Sequence, residues 1–141
     1  MRTKTYIFSF LLIGALTAQD DIHFDFGADS VVLNVGEVKE IEIKLLNKKY
    51  RGTNKATNVL SFSVDEQLTK NLLIGDIVLC IEIIKKEAKE YSKDFENRLK
   101  HMIIHGFLHL LNFNHEAKHE RIKMEDLEIT IMKKMSAGEP Y

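Results

Sequence analysis

Five of the six histidines in this 141-residue chain lie between positions 101 and 119. The segment His105-Gly106-Phe107-Leu108-His109-Leu110-Leu111-Asn112-Phe113-Asn114-His115 concentrates them. On a helix, His105 and His109 stand one turn apart, about 40° in direction and about 6 Å along the axis. Their ring nitrogens can therefore converge on one metal ion. His115 follows six residues later, and a straight helix would swing it to the far side, so the chain has to turn back. Asn112 allows this, because asparagine readily takes the left-handed conformation that ends a helix. The turn brings His115 round as a third ligand. Three neutral imidazoles with an open fourth position make a catalytic zinc arrangement, with room for an activated water. One histidine on an apolar face is ordinarily a core residue satisfied by hydrogen bonds. Three at this spacing outweigh that reading. His101 and His119 extend the pattern by a turn on either side; they admit contacts behind the ligands or to substrate, but surface positions are the favoured reading, and His23 receives no functional assignment.

The same ligand spacing occurs in the H-E-x-x-H-x-x-G-x-x-H metalloproteases, where the residue after the first histidine is the general base. Here that residue is Gly106, which cannot take a proton. The missing carboxylate argues against a zinc peptidase-like hydrolase, for which Glu116 or Glu120 would have to serve. Cys80 is the single cysteine, which excludes an internal disulfide and a cysteine-based zinc site. Its neighbours Ile77, Val78, Leu79 and Ile81 mark it as a small buried hydrophobe.

These side chains need a scaffold, and the chain is long enough for one domain, residues 1–141, with its own core. It is 45% apolar and 29% charged, with one proline, seven glycines and no internal repeat or linker-like run. A formal charge of −1 excludes nucleic-acid binding through an overall positive field. A local patch is available: Lys44, Lys48, Lys49, Arg51 and Lys55 are interrupted by no acid.

Ser30–Val35 reads as a strand ending at Gly36. Residues 37–49 read as an amphipathic helix with Val38, Ile41, Leu45 and Leu46 on its apolar face. Val59–Phe62 and Asp76–Cys80 read as two further strands. Helices are expected over Ile81–Tyr91, over Phe95–Leu111 behind an Asp94 N-cap, and over Lys118–Met135, with Ile122, Leu127, Ile131 and Met135 facing the core. The segment Met102–Leu111 is apolar apart from its histidines, which makes it the buried central helix. Strands followed by a run of helices give an α+β fold. Residues 1–18 admit two readings. Arg2 and Lys4 followed by an apolar run to Leu16 and Ala18 outline a secretory signal. The alternative is a strand over Thr5–Phe10 leading into a short helix.

The segment His105–His115 resembles the H-G-x-L-H-L-x-G-[YF]-D-H signature of the YbeY family. Leu46–Gly52, followed by Thr57–Phe62, is similar to that family's N-x-x-Y-R-G and T-[DN]-V-L-S-F block. Ile74–Val78 resembles its L-G-D-I-V strand, and Met124–Glu128 its Met-Glu-x-Leu-Glu pattern. These blocks run in order over residues 46–141, whereas the first 29 residues carry no resemblance. Asn112 stands for the usual glycine, Asn114 for an aspartate and Ser63 for a common proline.

The resemblance implies a small mixed β-sheet packed against helices around a zincin-like metal-binding helix. It implies a zinc-dependent, single-strand-specific endoribonuclease that matures the 3′ end of 16S ribosomal RNA and clears defective ribosomes. Single-stranded RNA and the small ribosomal subunit would be its partners, in the cytoplasm and with no membrane. Its functional positions fall here on His105, His109 and His115 as ligands of one Zn²⁺ per chain, with Arg51 and His105 catalytic. Arg51 alone would read as a solvated residue, but a guanidinium beside a metal offsets phosphoryl charge with two parallel hydrogen bonds. A cytosolic family also favours the strand-and-helix reading of residues 1–18. The non-catalytic rival is a ribosome-associated metal-binding factor, with His119 closing the fourth position.

Overall fold

The computed structural model describes residues 19–25, 30–63 and 73–141. The strand and helix expected in residues 1–18 lie outside them. The elements are β1 (Gln19–Asp25), β2 (Ser30–Glu37), α1 (Glu40–Arg51), β3 (Val59–Ser63), β4 (Leu73–Leu79), α2 (Ile81–Glu90), α3 (Phe95–Leu110) and α4 (Lys118–Lys134). The sheet runs in the order β1-β2-β4-β3 and is mixed: β1 with β2 and β3 with β4 are antiparallel, while β2 and β4 are parallel. The parallel pair is joined by a crossover through α1 and β3, since a tight hairpin cannot connect parallel neighbours. The α+β fold with a small mixed sheet against helices stands as expected. β1 gives little sign of itself in the sequence, because Asp20, Asp21 and Asp25 mask its short apolar alternation. As an edge strand paired only with β2, it tolerates that charge.

α3 is the centre of the molecule. It touches β3, β4, α2 and α4, and Leu99, Met102 and Ile103 join Val35, Ile77, Leu79, Ile84 and Leu110 in the main core. Its start is set by Asp94, whose carboxylate accepts from the Asn97 backbone N–H at 3.1 Å. Gly106 lets the helix lie close to the sheet. A Cβ there would meet Ser61 Oγ at 2.9 Å and Ile77 Cδ1 and Val59 Cγ2 at 3.2 Å. The Ser61 hydroxyl uses the close approach to donate to the Gly106 carbonyl at 2.9 Å.

Two helices bury their expected faces only in part: Val38 and Leu46 pack on the core beside α1, and Leu127, Ile131 and Met135 do so on α4, but other expected positions are exposed. On α1, Ile41 and Leu45 are 69% and 62% exposed, whereas Ile43 and Asn47 are buried. The most buried stripe is one of i, i+4 spacing in which Asn47 takes an apolar place. Asn47 is satisfied there by donating to the Lys55 carbonyl at 2.7 Å, which pins the loop after the helix. On α4, the buried stripe is Met124, Glu128 and Met132, while Ile122 is exposed. Leu127, Ile131 and Met135 are half-buried and pack on the α3–α4 cluster of Ile104, Leu108, Met124, Met132 and Ala137. Cys80 is fully buried with Ile43 and Leu60, and burial pushes its thiol pKa up. Among the described residues no helix is long and apolar enough to cross a membrane.

Candidate metal centre

The end of α3 shapes the site. Asn112 takes φ 64°, and beyond it the Phe113 N–H reaches back to the Leu108 carbonyl at 3.0 Å. This is the backbone pattern that closes a helix over a left-handed residue. The same turn presents the Phe113 carbonyl to His109 Nδ1 at 3.0 Å. One turn earlier, His105 Nδ1 lies 2.6 Å from Oε1 of Glu128 on α4. Both partners are acceptors, so in the neutral rings each Nδ1 carries the proton and each Nε2 is bare. The two Nε2 atoms face one another at 3.1 Å. Two lone pairs at that distance repel unless a cation or a proton lies between them, so the donor chemistry fits a metal ion. The His115 ring lies 5.0 Å from His109 and 5.4 Å from His105, centroid to centroid. One ligand atom from each of the three lies within 4.8 Å of the others.

Desolvation lowers the pKa of His109 to about 4, assisted by the neighbouring His105 and His115, which keeps this ring neutral near pH 7. Glu128 behaves in the opposite sense. Its burial would raise its pKa, but the adjacent His101, with hydrogen bonds from His105 and Tyr141, outweighs this and holds it at about 2. A buried anion thus backs the centre.

Arg51 is the last residue of α1, not part of the loop that follows. Gly52, at φ 72°, caps the helix immediately after it. The Arg51 Nη2 donates to the Ser61 carbonyl at 2.7 Å. Arg51, His105, His109 and His115 line one cleft of about 420 Å³. A wider depression of about 810 Å³ shares Arg51, Ser61 and Ser63 with that cleft and continues past Tyr50 and Phe62. Lys44, Lys48, Lys49 and Lys55 are exposed. Glu116 is the one carboxylate among the described residues lining the cleft. Glu120 is occupied as an α4 cap, accepting from the Ala117 N–H at 3.3 Å. His119 is exposed and outside the donor set, so it does not close a fourth position. Asn114 lines the cleft and is exposed.

One expectation is overturned. His101 is not a surface residue: it is 3% exposed and sits beside Glu128. Glu128 is fully buried, a position that the sequence reading assigns to no site. A signal exists, since a carboxylate four residues from both Met124 and Met132 occupies the apolar stripe of its helix and must be paired.

A family model described as Endoribonuclease YbeY matches residues 15–136. The chain belongs to the YbeY family. Endoribonuclease YbeY of Buchnera aphidicola subsp. Schizaphis graminum is 49% identical over 111 residues, which is 78% of this chain and 70% of the relative. The YbeY proteins of Ruthia magnifica and Colwellia psychrerythraea are 46% and 43% identical, over 74% and 77% of this chain and 72% and 71% of their own. A solved Thermotoga maritima structure is 32% identical over 74% of this chain and 71% of its own, at a TM-score of 0.47.

Proposed function

We propose that this YbeY-family chain is a zinc-dependent endoribonuclease that cleaves single-stranded RNA, with His105, His109 and His115 as the metal ligands and Arg51 as the catalytic cation. The reading rests on one observation: the three imidazoles and the guanidinium line the same cleft. When bound, the metal supplies Lewis acidity for phosphodiester hydrolysis.

The residues of the chain supply the rest. His105 and His109 keep their Nδ1 atoms engaged and turn both Nε2 atoms inward. Arg51, with one Nη2 hydrogen bond given to Ser61, offers its remaining N–H donors to phosphoryl oxygens as they gain charge. Lys48 and Lys49 hold the backbone of the strand without reading sequence. The adjoining depression gives that strand a path past Tyr50 and Phe62. Gly106 faces the sheet, so the base of a peptidase has no place at that position. Within this reading the chain works in the cytoplasm on the small ribosomal subunit, in 3′-end maturation of 16S ribosomal RNA and in clearing defective ribosomes.

Elemental analysis paired with single-turnover cleavage of a single-stranded RNA tests the proposal. Wild type should carry one zinc ion per chain and lose cleavage on chelation, with recovery on adding zinc. His109→Ala should lose both metal and cleavage. Full metal content in that variant overturns the ligand set, and chelator-resistant cleavage overturns the metal dependence.

A further inference from the structure

Behind His105 a line of polar side chains crosses the interior from α2 to α4. Glu87 accepts from Arg98 Nε and Nη2 at 3.2 and 2.8 Å, and from Asn58 Nδ2 at 3.0 Å. Arg98 Nη1 lies 3.1 Å from His101 Nδ1. A guanidinium only donates, so this nitrogen is the acceptor and the proton of a neutral His101 is on Nε2. That Nε2 has no well-formed hydrogen bond, and the nearest acceptor facing it is Glu128 Oε1 at 3.3 Å. The same oxygen takes the His105 Nδ1 hydrogen at 2.6 Å. The other carboxylate oxygen accepts from the Tyr141 hydroxyl. Tyr141 is carried there by the segment after α4, whose Glu139 and Tyr141 backbone oxygens accept from Lys93 Nζ at 3.0 and 2.8 Å.

We propose that Glu128 is a positioning residue: anchored by the Tyr141 hydroxyl, it fixes the proton of His105 on Nδ1 and keeps the Nε2 lone pair directed at His109 and His115. The inference rests on the metal reading given above. It extends that reading to a second layer, in which the fixed charge of Arg98 sets the direction of the hydrogen bonds. A carboxylate behind a ligating imidazole fixes its tautomer and raises its basicity.

The competing interpretation is that His101, His105 and Glu128, which also bring three ligand atoms within 4.8 Å, hold a second ion. Two features oppose it. The guanidinium of Arg98 on His101 Nδ1 leaves the proton of the neutral ring on Nε2, so the nitrogen that faces Glu128 has no lone pair to offer an ion. The 2.6 Å separation of His105 Nδ1 from Glu128 Oε1 is a charge-assisted hydrogen bond. Donors around a tetrahedral zinc would stand about 3.3 Å apart, given metal–ligand bonds near 2.0 Å.

Nitrogen-15 NMR of the histidine rings in metal-free protein, with zinc affinity by competition against a chromophoric chelator, tests the proposal. Wild type should show a protonated Nδ1 and a bare Nε2 at His105. Glu128→Ala should shift His105 towards the opposite tautomer and weaken zinc binding by about 10–100-fold. Glu128→Gln keeps an acceptor oxygen and loses the charge, so it should retain the tautomer and lose affinity by less. Unchanged affinity in Glu128→Gln, or unchanged tautomer and affinity in Glu128→Ala, overturns the proposal. If Glu128→Ala does not fold, the near-isosteric Glu128→Gln decides alone. Two zinc ions per wild-type chain would assign Glu128 to a second metal instead. Failure of the underlying metal reading is separate: His109→Ala would then keep its zinc while His105 still carried its proton on Nδ1.

Discussion

Arg51 hangs from Ser61: its Nη2 donates to the Ser61 backbone carbonyl at 2.7 Å. Ser61 in turn clasps the metal helix through its hydroxyl on the Gly106 carbonyl. The guanidinium is thereby indexed to the histidines through two hydrogen bonds and one strand residue.

Arg51→Ala should fold and retain zinc, because Arg51 is exposed and the hydrogen bond its side chain makes among the described residues goes to a backbone carbonyl. Cleavage should fall by about 10²–10³, the usual cost of removing one electrostatic donor from a transition state. Arg51→Lys should recover little, since an ammonium lacks the planar pair of donors. Single-turnover rates at saturating enzyme provide the check. A wild-type rate in Arg51→Ala would reduce the residue to a role in binding alone.

Gly106→Glu, which restores the metalloprotease pattern, should not create a peptidase. Its Cβ would stand 2.9 Å from Ser61 Oγ and 3.2 Å from two apolar side chains. Overpacking of this kind costs about 1–3 kcal/mol before the carboxylate itself is buried. A lowered thermal midpoint with no peptide hydrolysis is expected, and a stable, proteolytic variant would contradict the packing account.

Asn112 holds the left-handed turn, so Asn112→Ala should destabilise the fold by about 1–2 kcal/mol. It should also weaken zinc binding, because His109 and His115 both depend on that turn. Asn112→Gly takes the conformation freely and should preserve both properties. Denaturant melts and chelator competition on the two variants will separate them.

Lys48 and Lys49 should act on binding and leave the chemical step nearly unchanged. Removing one phosphate-neutralising charge should flatten the slope of log affinity against log salt by about 0.7 for a single strand. Titrations over a salt series would show this for Lys48→Ala and Lys49→Ala. A large fall in the saturated cleavage rate would instead place either lysine in the reaction.

The metal-free protein should lose stability on acidification. The folded pKa of His109 is depressed to about 4 from 6.5, so between those values the unfolded chain binds the extra proton and stability falls as pH falls. Glu128, held at about 2 against 4.5, adds a loss of the same sign from about pH 4.5 downward. Thermal melts in chelator across pH 7 to 4 should show the decline, and His109→Ala should flatten its upper part.

The convergence of the three histidines is legible in the sequence because it is local, needing only a one-turn spacing and one residue able to adopt positive φ. The extents of α2, α3 and α4 are legible for the same reason, through capping and helical periodicity. The buried faces of α1 and α4 are legible only in part, because Asn47 and Glu128 occupy apolar positions and are satisfied by partners elsewhere in the chain. The burial of His101 follows from the packing of α4 and the segment carrying Tyr141 against α3, which no short window of sequence contains. β1 stays hidden because its acids belong to an edge strand.

The three imidazoles differ in burial as well as in position. His105 and His109 are half-buried on a packed helix, whereas His115 lies beyond the turn and is exposed. Segments of that kind open locally at far lower cost than the whole domain. Metal release would therefore begin at His115 and need no unfolding. The lifetime of the ion would follow the stability of one turn, and its affinity the rigidity of the helix. Exchange rate and equilibrium binding could then be altered independently in the same centre.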